Sequence, residues 1–196
     1  MELSKRIVDR AHALGFDLAG ITPATPVPHL AAYRAWIAQG YHGQMGYMAR
    51  PDRVERRENP AAILDGVRSV VCAGLNYAPA PQTRRDDPSR GRIASYAWGQ
   101  DYHALMLPRL EALAAFIQQE SGSAVRHRAY VDTGPILERA YAARAGLGFI
   151  GKNSNLIHPR MGSWLFLGEL LVDIELQSTP NEIKADCDAC RRCIDA

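Results

Sequence analysis

Apolar positions recur along the chain at two spacings, and these spacings predict an alternation of helices and strands. The helical spacing predicts four helices, over residues 3–14, 29–39, 101–119 and 135–145. Glycines follow the first two, which favours helix termination there. Asp101 can cap the third, although Pro108 should kink it, and Pro135 suits the first position of the fourth.

The remaining apolar segments predict four strands, over residues 18–21, 67–75, 125–131 and 163–176. The 67–75 segment is almost wholly apolar, as expected for a strand that is covered on both faces. Cys72 lies inside it and is interpreted as a small buried hydrophobe without chemistry. The 125–131 segment alternates with polar residues, which indicates a half-exposed strand.

Composition and charge limit the classes of protein that fit this pattern. With 196 residues, 47% hydrophobic and 22% charged, the chain can form one core, or one domain and the start of a second. The net charge of +2 gives no global basic surface, so any contact with a nucleic acid has to be local. The 78–92 segment, rich in Pro, Arg and Asp, is a loop long enough to border a substrate.

The first residues lead directly into an amphipathic segment. They contain neither an apolar secretory stretch nor a twin-arginine pair. No apolar run has the length that a membrane span needs. We therefore expect a cytoplasmic protein without a membrane role.

Three cysteines near the end carry the strongest local signal. Cys187, Cys190 and Cys193 are separated by gaps of two residues, which is the spacing of ferredoxin iron-sulfur motifs. Such a motif continues with three residues and a fourth cysteine, whereas this chain stops at Ala196. An odd count argues against a disulfide framework, and a zinc site, which needs four ligands, is the alternative.

The glycine run 146–151 matches the dinucleotide-binding fingerprint letter for letter. That fingerprint requires a strand before it and a helix after it. Here a predicted helix precedes the glycines, and a β-like run follows. We therefore reject nucleotide binding and expect the glycines to let the backbone approach something closely, such as a flat ligand.

Asp132 follows a predicted strand and stands beside a Thr-Gly-Pro turn, where a carboxylate can reach into a cleft. On this feature alone, capping of the next helix explains the residue better than chemistry does. A helix N-terminus also favours the charged carboxylate, so proton donation would require desolvation.

Asp101 and His103 begin like the Asp-x-His-x-x-Gly signature of proteins that bind the cobalt of cobalamin through histidine. The last position of that signature is Met106 here. His103 is therefore not assigned as a cobalt ligand, and a helix cap beside two surface rings remains the simpler interpretation of this run.

Taken together, the motifs of the chain closely resemble those of the epoxyqueuosine reductase family. Their order and spacing match over nearly the whole sequence. The matching segments are Arg57 with Pro60, 74–77, 96–103, 132–135, Arg139, 148–153, 162–164 and 167–169.

This resemblance implies an α+β fold whose mixed sheet with flanking helices is similar to nitroreductase-like cobalamin-binding cores. Residues 1–177 would form this catalytic domain, and residues 178–196 would begin a truncated ferredoxin-like [4Fe-4S] segment. The fourth cysteine, the ligands of a second cluster and a helical tail that helps to hold tRNA are absent. We therefore expect a truncated form that binds cobalamin and lacks reductase activity.

The implied reaction converts epoxyqueuosine, at the wobble position of tRNA, to queuosine by cobalamin-dependent removal of the epoxide oxygen as water. It consumes two electrons and two protons. An unidentified donor would deliver the electrons through two [4Fe-4S] clusters to cobalamin. Two alternatives stay open: an enzyme similar to reductive dehalogenases, and a non-catalytic corrinoid-binding or metal-binding module.

The resemblance also implies roles for individual residues. Asp132 would donate a proton to the departing oxygen. The residues expected near the corrin are Arg57, Arg139, Asn153, Leu156 and Leu167. Further polar residues of the site would be Asp101, His103 and Lys152, and the cluster ligands would be Cys187, Cys190 and Cys193.

Overall fold

The computed structural model describes residues 2–78, 89, 91 and 93–195. Its helices are α1 (Glu2–Ala13), α2 (Leu30–Ala38), α3 (Pro51–Glu58), α4 (Tyr102–Ser121) and α5 (Glu138–Arg144). Its strands are β1 (Leu18–Pro23), β2 (Ser69–Asn76), β3 (His127–Tyr130), β4 (Phe149–Ile150), β5 (Leu156–Ile157) and β6 (Leu165–Val172). Short 3-10 turns cover Gly46–Ala49, Pro60–Ala62 and Ser95–Ala97. Apart from residues 78, 89 and 91, the expected substrate-bordering loop over 78–92 lies outside the described residues.

Four strands form the main sheet in the order β1-β2-β6-β3, and each neighbouring pair is antiparallel. Strands β4 and β5 form a separate antiparallel hairpin. The α+β class is thus confirmed, whereas the expected mixed sheet is wrong for the described strands. Apolar strands such as β2 suit any sheet covered by helices on both faces, so their composition left the strand direction open. The likeness to nitroreductases stays a prediction.

Helices cover the sheet on two sides. On the first side, which we call the α4 face, α1 and α4 pack against buried aliphatic residues of the strands such as Val71, Leu170 and Val172. On the second, the α5 face, α5 packs against β2 and β6. Because side chains alternate along a strand, Leu170 and Leu171 point to opposite faces.

The boundaries of the helices show where the sequence signals succeed. Asp101 accepts a hydrogen bond from the His103 amide at 2.9 Å and caps α4, as predicted. Helix α5 begins at Glu138, three residues later than Pro135 suggested, because the chain first makes a turn that buries Pro135. The sequence analysis missed α3, which is mostly charged and has no apolar stripe. Among the described residues, no helix combines the length and the apolarity needed to cross a membrane.

Candidate active site

Asp132 lies in the turn after β3 and is exposed. Its φ of 59° is in the left-handed region, which is unfavourable for a residue other than glycine. Gly134 completes this turn, and a Cβ atom there would lie 2.4 Å from the ring of Tyr130. The carboxylate of Asp132 does not cap α5, since Leu137 is the N-cap and no side chain caps it. The capping interpretation of Asp132 is therefore wrong.

Tyr102, the first residue of α4, holds Asp132 from the other side. Its hydroxyl donates a hydrogen bond of 2.8 Å to Oδ2 of Asp132. Burial raises the pKa of Tyr102 above its ordinary value, and the neighbouring Asp132 raises it further, so the phenol stays a donor. The sequence analysis missed this role, although Tyr102 directly follows the capping Asp101 at a helix start.

Glu138 lies beneath the same turn. Its Oε1 atom is buried with no hydrogen-bond partner among the described residues, and its carboxyl is close enough to Asp132 to feel the charge of that residue. Burial raises the pKa of Glu138 from its ordinary 4.5 to about 7, and the charge of Asp132 contributes to the shift. This carboxyl therefore titrates near neutral pH.

Glu169 is completely buried in the centre of β6. It pairs with Cys72 on one neighbouring strand and with Tyr130 on the other, so all three side chains point to the α5 face. Burial raises the pKa of Glu169 well above its ordinary value, and the charges of Glu138 and Asp132 add to this. The motif 167–169 contained this residue, but only the structure shows that its side chain lies in the core.

Aromatic rings line the end of the sheet beside Asp132. Tyr77, Phe166 and Tyr102 stack in series, with ring centroids 4.2 and 4.0 Å apart. His103 stacks on the far side of Tyr102 at 4.1 Å, and Trp164 meets Tyr77 edge-on at 5.6 Å. Trp164 is 45% exposed, so this aromatic wall, from Trp164 to His103, offers a flat surface next to the carboxylate.

The two predicted corrin-binding arginines have different surroundings. Arg57 is buried, with its guanidinium 5.5 Å from the centroid of the Tyr33 ring and donating to the Arg53 carbonyl at 3.1 Å. Arg139 is exposed and donates to the Ser154 carbonyl at 2.5 Å. Arg139 is therefore accessible to a ligand, whereas Arg57 stabilises the packing of α3 in this structure.

The other three predicted corrin contacts also divide by exposure. Asn153 is exposed, and its Oδ1 accepts a hydrogen bond from the Asn155 amide at 3.1 Å. Leu167 is partly buried on the α5 face, and Leu156 is fully packed in the core of that face. Asn153 and Leu167 are thus placed where a bound molecule can reach them, and Leu156 is not.

Asp101 and His103 form a pair of their own. Their side chains approach to 2.7 Å, and this hydrogen bond lowers the pKa of Asp101. The Nε2 atom of His103 is buried with no hydrogen-bond partner among the described residues. His103 also contacts Tyr102, so the pair supports the residue that holds Asp132.

Lys152 joins the cysteine segment to the β4–β5 hairpin. Its amide donates to Sγ of Cys187 at 3.4 Å, and its ammonium donates to the carbonyls of Asp188 and Cys190 at 2.6 and 3.1 Å. Cys190 and Cys193 are exposed thiols. In the described part of the chain, no three His, Cys, Asp or Glu residues are arranged to hold a metal ion. The cluster ligands therefore stay a prediction.

The glycine run 146–151 has a structural explanation. Helix α5 precedes it, strand β4 lies within it, and β5 is the next element, so the strand-before and helix-after arrangement of the dinucleotide fingerprint is not met. A Cβ atom at Gly148 would lie 2.7 Å from the carbonyl oxygen of Ile157, and one at Gly151 would lie 2.4 Å from the Ile157 side chain. These glycines thus allow a close approach within the chain itself, and the approach to a flat ligand stays a prediction.

Comparison with known sequences gives a consistent set of relatives. A family model described as epoxyqueuosine reductase QueG, DUF1730, matches residues 57–133. The chain is 43% identical to the epoxyqueuosine reductase of Synechocystis sp. over 90% of its own length and 60% of that protein. It is 42% identical to the Vibrio cholerae enzyme, covering 98% of its own length and 52% of that protein. The chain thus spans somewhat more than half the length of these relatives.

Solved structures show the same likeness. The epoxyqueuosine reductase of Streptococcus thermophilus superposes on the whole chain with a TM-score of 0.87 and 31% identity, and the chain covers 52% of that protein. A reductase solved with an epoxyqueuosine-modified tRNA stem loop gives a TM-score of 0.82 and 30% identity, and the chain covers 51% of it. In a Bacillus subtilis structure with a TM-score of 0.82 and 28% identity, an aspartate catalytic loop is swung out of the active site; there the coverage is 51%.

A catabolic reductive dehalogenase shares the fold at lower similarity, with a TM-score of 0.56 and 13% identity, and the chain covers 22% of it. That likeness concerns the fold alone. The agreement of the sequence relatives, the matched family model and the closer structures confirms the resemblance seen in the motifs: this chain is a homologue of the epoxyqueuosine reductases.

Proposed function

We propose that this chain carries the site at which an epoxyqueuosine reductase removes the epoxide oxygen from a modified base of tRNA. The observation that carries the proposal is the placement of Asp132. Its carboxylate is exposed, stands in a left-handed turn, is held by Tyr102 and takes no part in capping a helix. Unfavourable backbone at a functional group is typical of active sites.

In this proposal Asp132 protonates the departing epoxide oxygen. The hydrogen bond from Tyr102 fixes Oδ2 and leaves Oδ1 to face the substrate. The left-handed turn, packed at Gly134 against the ring of Tyr130, holds the backbone of the same residue. A proton donor that is held on two sides has little orientation to lose on reaction, which favours general acid catalysis.

Cobalamin, when bound, would supply the reducing electrons beside Asp132. The exposed Arg139 and Asn153 fit this group because guanidinium and amide groups can hydrogen-bond to the amide side chains that surround a corrin. Leu167 offers apolar contact at the same end of the sheet. In this arrangement Leu156 and Arg57 shape the site from behind instead of touching the ligand.

The cysteine segment would hold the cluster that feeds electrons to this site. Lys152 supports that role because it ties the segment to the hairpin next to Asn153. Three thiolates are one ligand short of a cubane site, so a fourth ligand has to come from elsewhere. The proposal retains the division into a catalytic domain over 1–177 and a cluster segment over 178–196, with a separate electron donor.

The aromatic wall would receive the anticodon loop of the tRNA. Exposed Trp164 can stack on an unpaired base, and stacking needs no global positive charge. A related reductase has been solved with an epoxyqueuosine-modified tRNA stem loop, which supports the same partner here. A tRNA substrate would place the protein in the cytoplasm.

The test is conversion of an epoxyqueuosine stem loop by the complete protein that contains this chain, with cobalamin, reconstituted clusters and a chemical reductant. Nucleoside mass spectrometry measures the queuosine formed. Asp132→Asn should lower turnover by about 10²- to 10⁴-fold, the range of general acid catalysis. The matched control Asp9→Asn, on exposed α1, should retain it. Equal turnover by wild type and Asp132→Asn would contradict the proposal.

A further inference from the structure

The α5 face contains an acid that nothing in the core neutralises. Glu169 has no exposed surface, and both carboxyl oxygens lack a hydrogen-bond partner among the described residues. Its neighbours along the strand, Leu167 and Leu171, are apolar. An unpaired charge in such a place would cost several kcal/mol, so the carboxyl is favoured in its neutral, protonated form.

Glu169 is not alone, because Glu138 faces it from the start of α5. The charge of Glu138 disfavours ionisation of Glu169, and the charge of Asp132 disfavours ionisation of both carboxyls. Two further titratable groups flank Glu169 on the neighbouring strands. Tyr130 lies on β3, and Cys72 on β2 is a buried thiol whose pKa burial raises well above its ordinary value.

Positive charge compensates this cluster only weakly. The charges of Arg139 and Arg57 lower the pKa of Glu138, but their effects are smaller than those of burial and of Asp132, which raise it. Arg144, at the far end of α5, lowers the pKa of Cys72. None of these guanidiniums pairs with either glutamate in the described structure, so adjacent carboxyls have to share the space with fewer than two negative charges.

We propose that Glu138 and Glu169 form a proton reserve that recharges Asp132. The inference rests on the proposed function, since it takes Asp132 as the acid of the reaction. Removal of an epoxide oxygen as water requires two protons, and Asp132 holds one. Glu138 is the route between the reserve and the acid because it begins α5, which follows the turn of Asp132 and packs against the strand that contains Glu169.

The steps balance without any further reactant. Asp132 loses its proton to the departing oxygen, where an O–H bond forms. The O–H bond of Glu138 then breaks, and its proton passes to the Asp132 carboxylate through a side-chain rotation or one bridging water. The recharged Asp132 gives this second proton to the same oxygen, which completes the water. Glu169 restores the proton of Glu138, and solvent later refills the pair. No electron moves in these steps, since the reductant of the proposed function supplies both electrons of the reaction.

The first test measures protonation in the chain by itself, without cobalamin or substrate. Infrared spectra at pH 7 should show the carbonyl stretch of a protonated carboxyl, with the small shift in D₂O that marks an exchangeable proton. Glu169→Gln should remove most of this signal, and Glu138→Gln should reduce it. The control Glu55→Gln, at an exposed position on α3, should leave it unchanged. A spectrum with no protonated carboxyl at pH 7 would overturn the proposal.

The second test measures the reaction in the complete protein. Glu138→Gln should lower turnover roughly tenfold to a hundredfold, the lower end of acid-base effects. The defect should shrink at lower pH, where solvent supplies protons faster. A defect of the same size at every pH would show a purely structural role and overturn the reserve.

The two tests separate the reserve from the function on which it rests. If wild-type protein reduces no epoxyqueuosine, the proposed function fails, whatever the infrared spectra show. If it reduces epoxyqueuosine and no carboxyl is protonated at pH 7, only the reserve fails. If circular dichroism shows that Glu169→Gln folds poorly, both tests are made with Glu138→Gln. The Glu138 side chain lies at the edge of the core, where a substitution disturbs folding less.

Discussion

The two faces of the sheet differ in the kinds of side chain that they bury. The α4 face is filled by aliphatic and aromatic side chains from α1, α4 and the strands, and no carboxylate is buried there among the described residues. The α5 face contains an equally dry cluster, yet Glu169 lies in its centre and Glu138 at its edge. The interior of one face is therefore wholly apolar, and the other gives up stability where it buries carboxyls near Asp132.

Tyr102 and Asp132 connect the two faces. Tyr102 packs with the α4-face cluster and reaches Asp132 with its hydroxyl. The charge of Asp132 in turn raises the pKa of both glutamates of the α5 face. The aromatic wall and the carboxyl cluster thus meet at a single residue, which is where the proposed chemistry takes place.

The largest effect is expected from truncating the α4 face. Leu170 is fully buried there, so Leu170→Ala should lower the free energy of unfolding by about 3–5 kcal/mol, through lost transfer energy and a cavity. Urea unfolding at pH 5 and pH 8 measures this loss, which should be the same at both values because no buried carboxyl faces Leu170. A loss that depends strongly on pH would break the contrast between the faces.

A pH-dependent effect is expected from the α5 face. Because Glu138 binds its proton more tightly when folded, the protein loses stability as the pH rises from about 4.5, its ordinary pKa, through about 7. The loss from this group is on the order of 3 kcal/mol at 1.36 kcal/mol per pKa unit. Urea unfolding across this range should show a flatter profile for Glu138→Gln than for wild type. Identical profiles would refute the assignment.

A smaller gain is expected from removing the buried acid itself. Glu169→Met replaces an unpartnered carboxyl with an apolar side chain of similar length and should stabilise the fold by about 1–3 kcal/mol at pH 8. The gain should be smaller at pH 5, which is closer to the ordinary pKa of 4.5, because keeping the buried carboxyl neutral costs less there. Thermal unfolding at both values measures it, with the exposed Glu55→Met as control. Destabilisation at pH 8 would mean that Glu169 has a partner.

The smallest effect on stability is expected at the junction of the faces. Tyr102→Phe removes one hydrogen bond to an exposed carboxylate and retains the ring stacking, so it should cost about 0.5–1.5 kcal/mol. Its effect on turnover should be larger, because Asp132 loses orientation. Comparing Tyr102→Phe with Tyr47→Phe, an exposed tyrosine away from the site, measures both. A turnover unchanged from wild type would show that Tyr102 does not position Asp132 for the reaction.

Much of the fold could be predicted because periodicity and end signals are local. The strands around Cys72 and Glu169 and the cap at Asp101 all follow from neighbouring residues. The direction of the strands could not be predicted, since it depends on how long connections return. Helix α3 escaped detection because its residues are mostly charged, and its packing against the chain decides its structure.

The site was predictable only in part, and for the same reason. Asp132 could be picked out from its motif, but its partners come from elements about 30 residues upstream and 37 downstream, at Tyr102 and Glu169. Whether a glutamate in an apolar strand is exposed or buried depends on the face that the final register selects. The buried carboxyls therefore become visible only in the folded structure.

The most direct test of the central claim is an anaerobic titration of the purified chain with cobalamin, followed by visible spectroscopy. The account predicts saturable binding with a base-off spectrum, and weaker binding by Arg139→Ala, whose exposed guanidinium lies beside the site. The control Arg10→Ala, on α1, should bind like wild type. A folded chain that leaves the cobalamin spectrum unchanged would contradict the claim that this site holds a corrinoid next to Asp132.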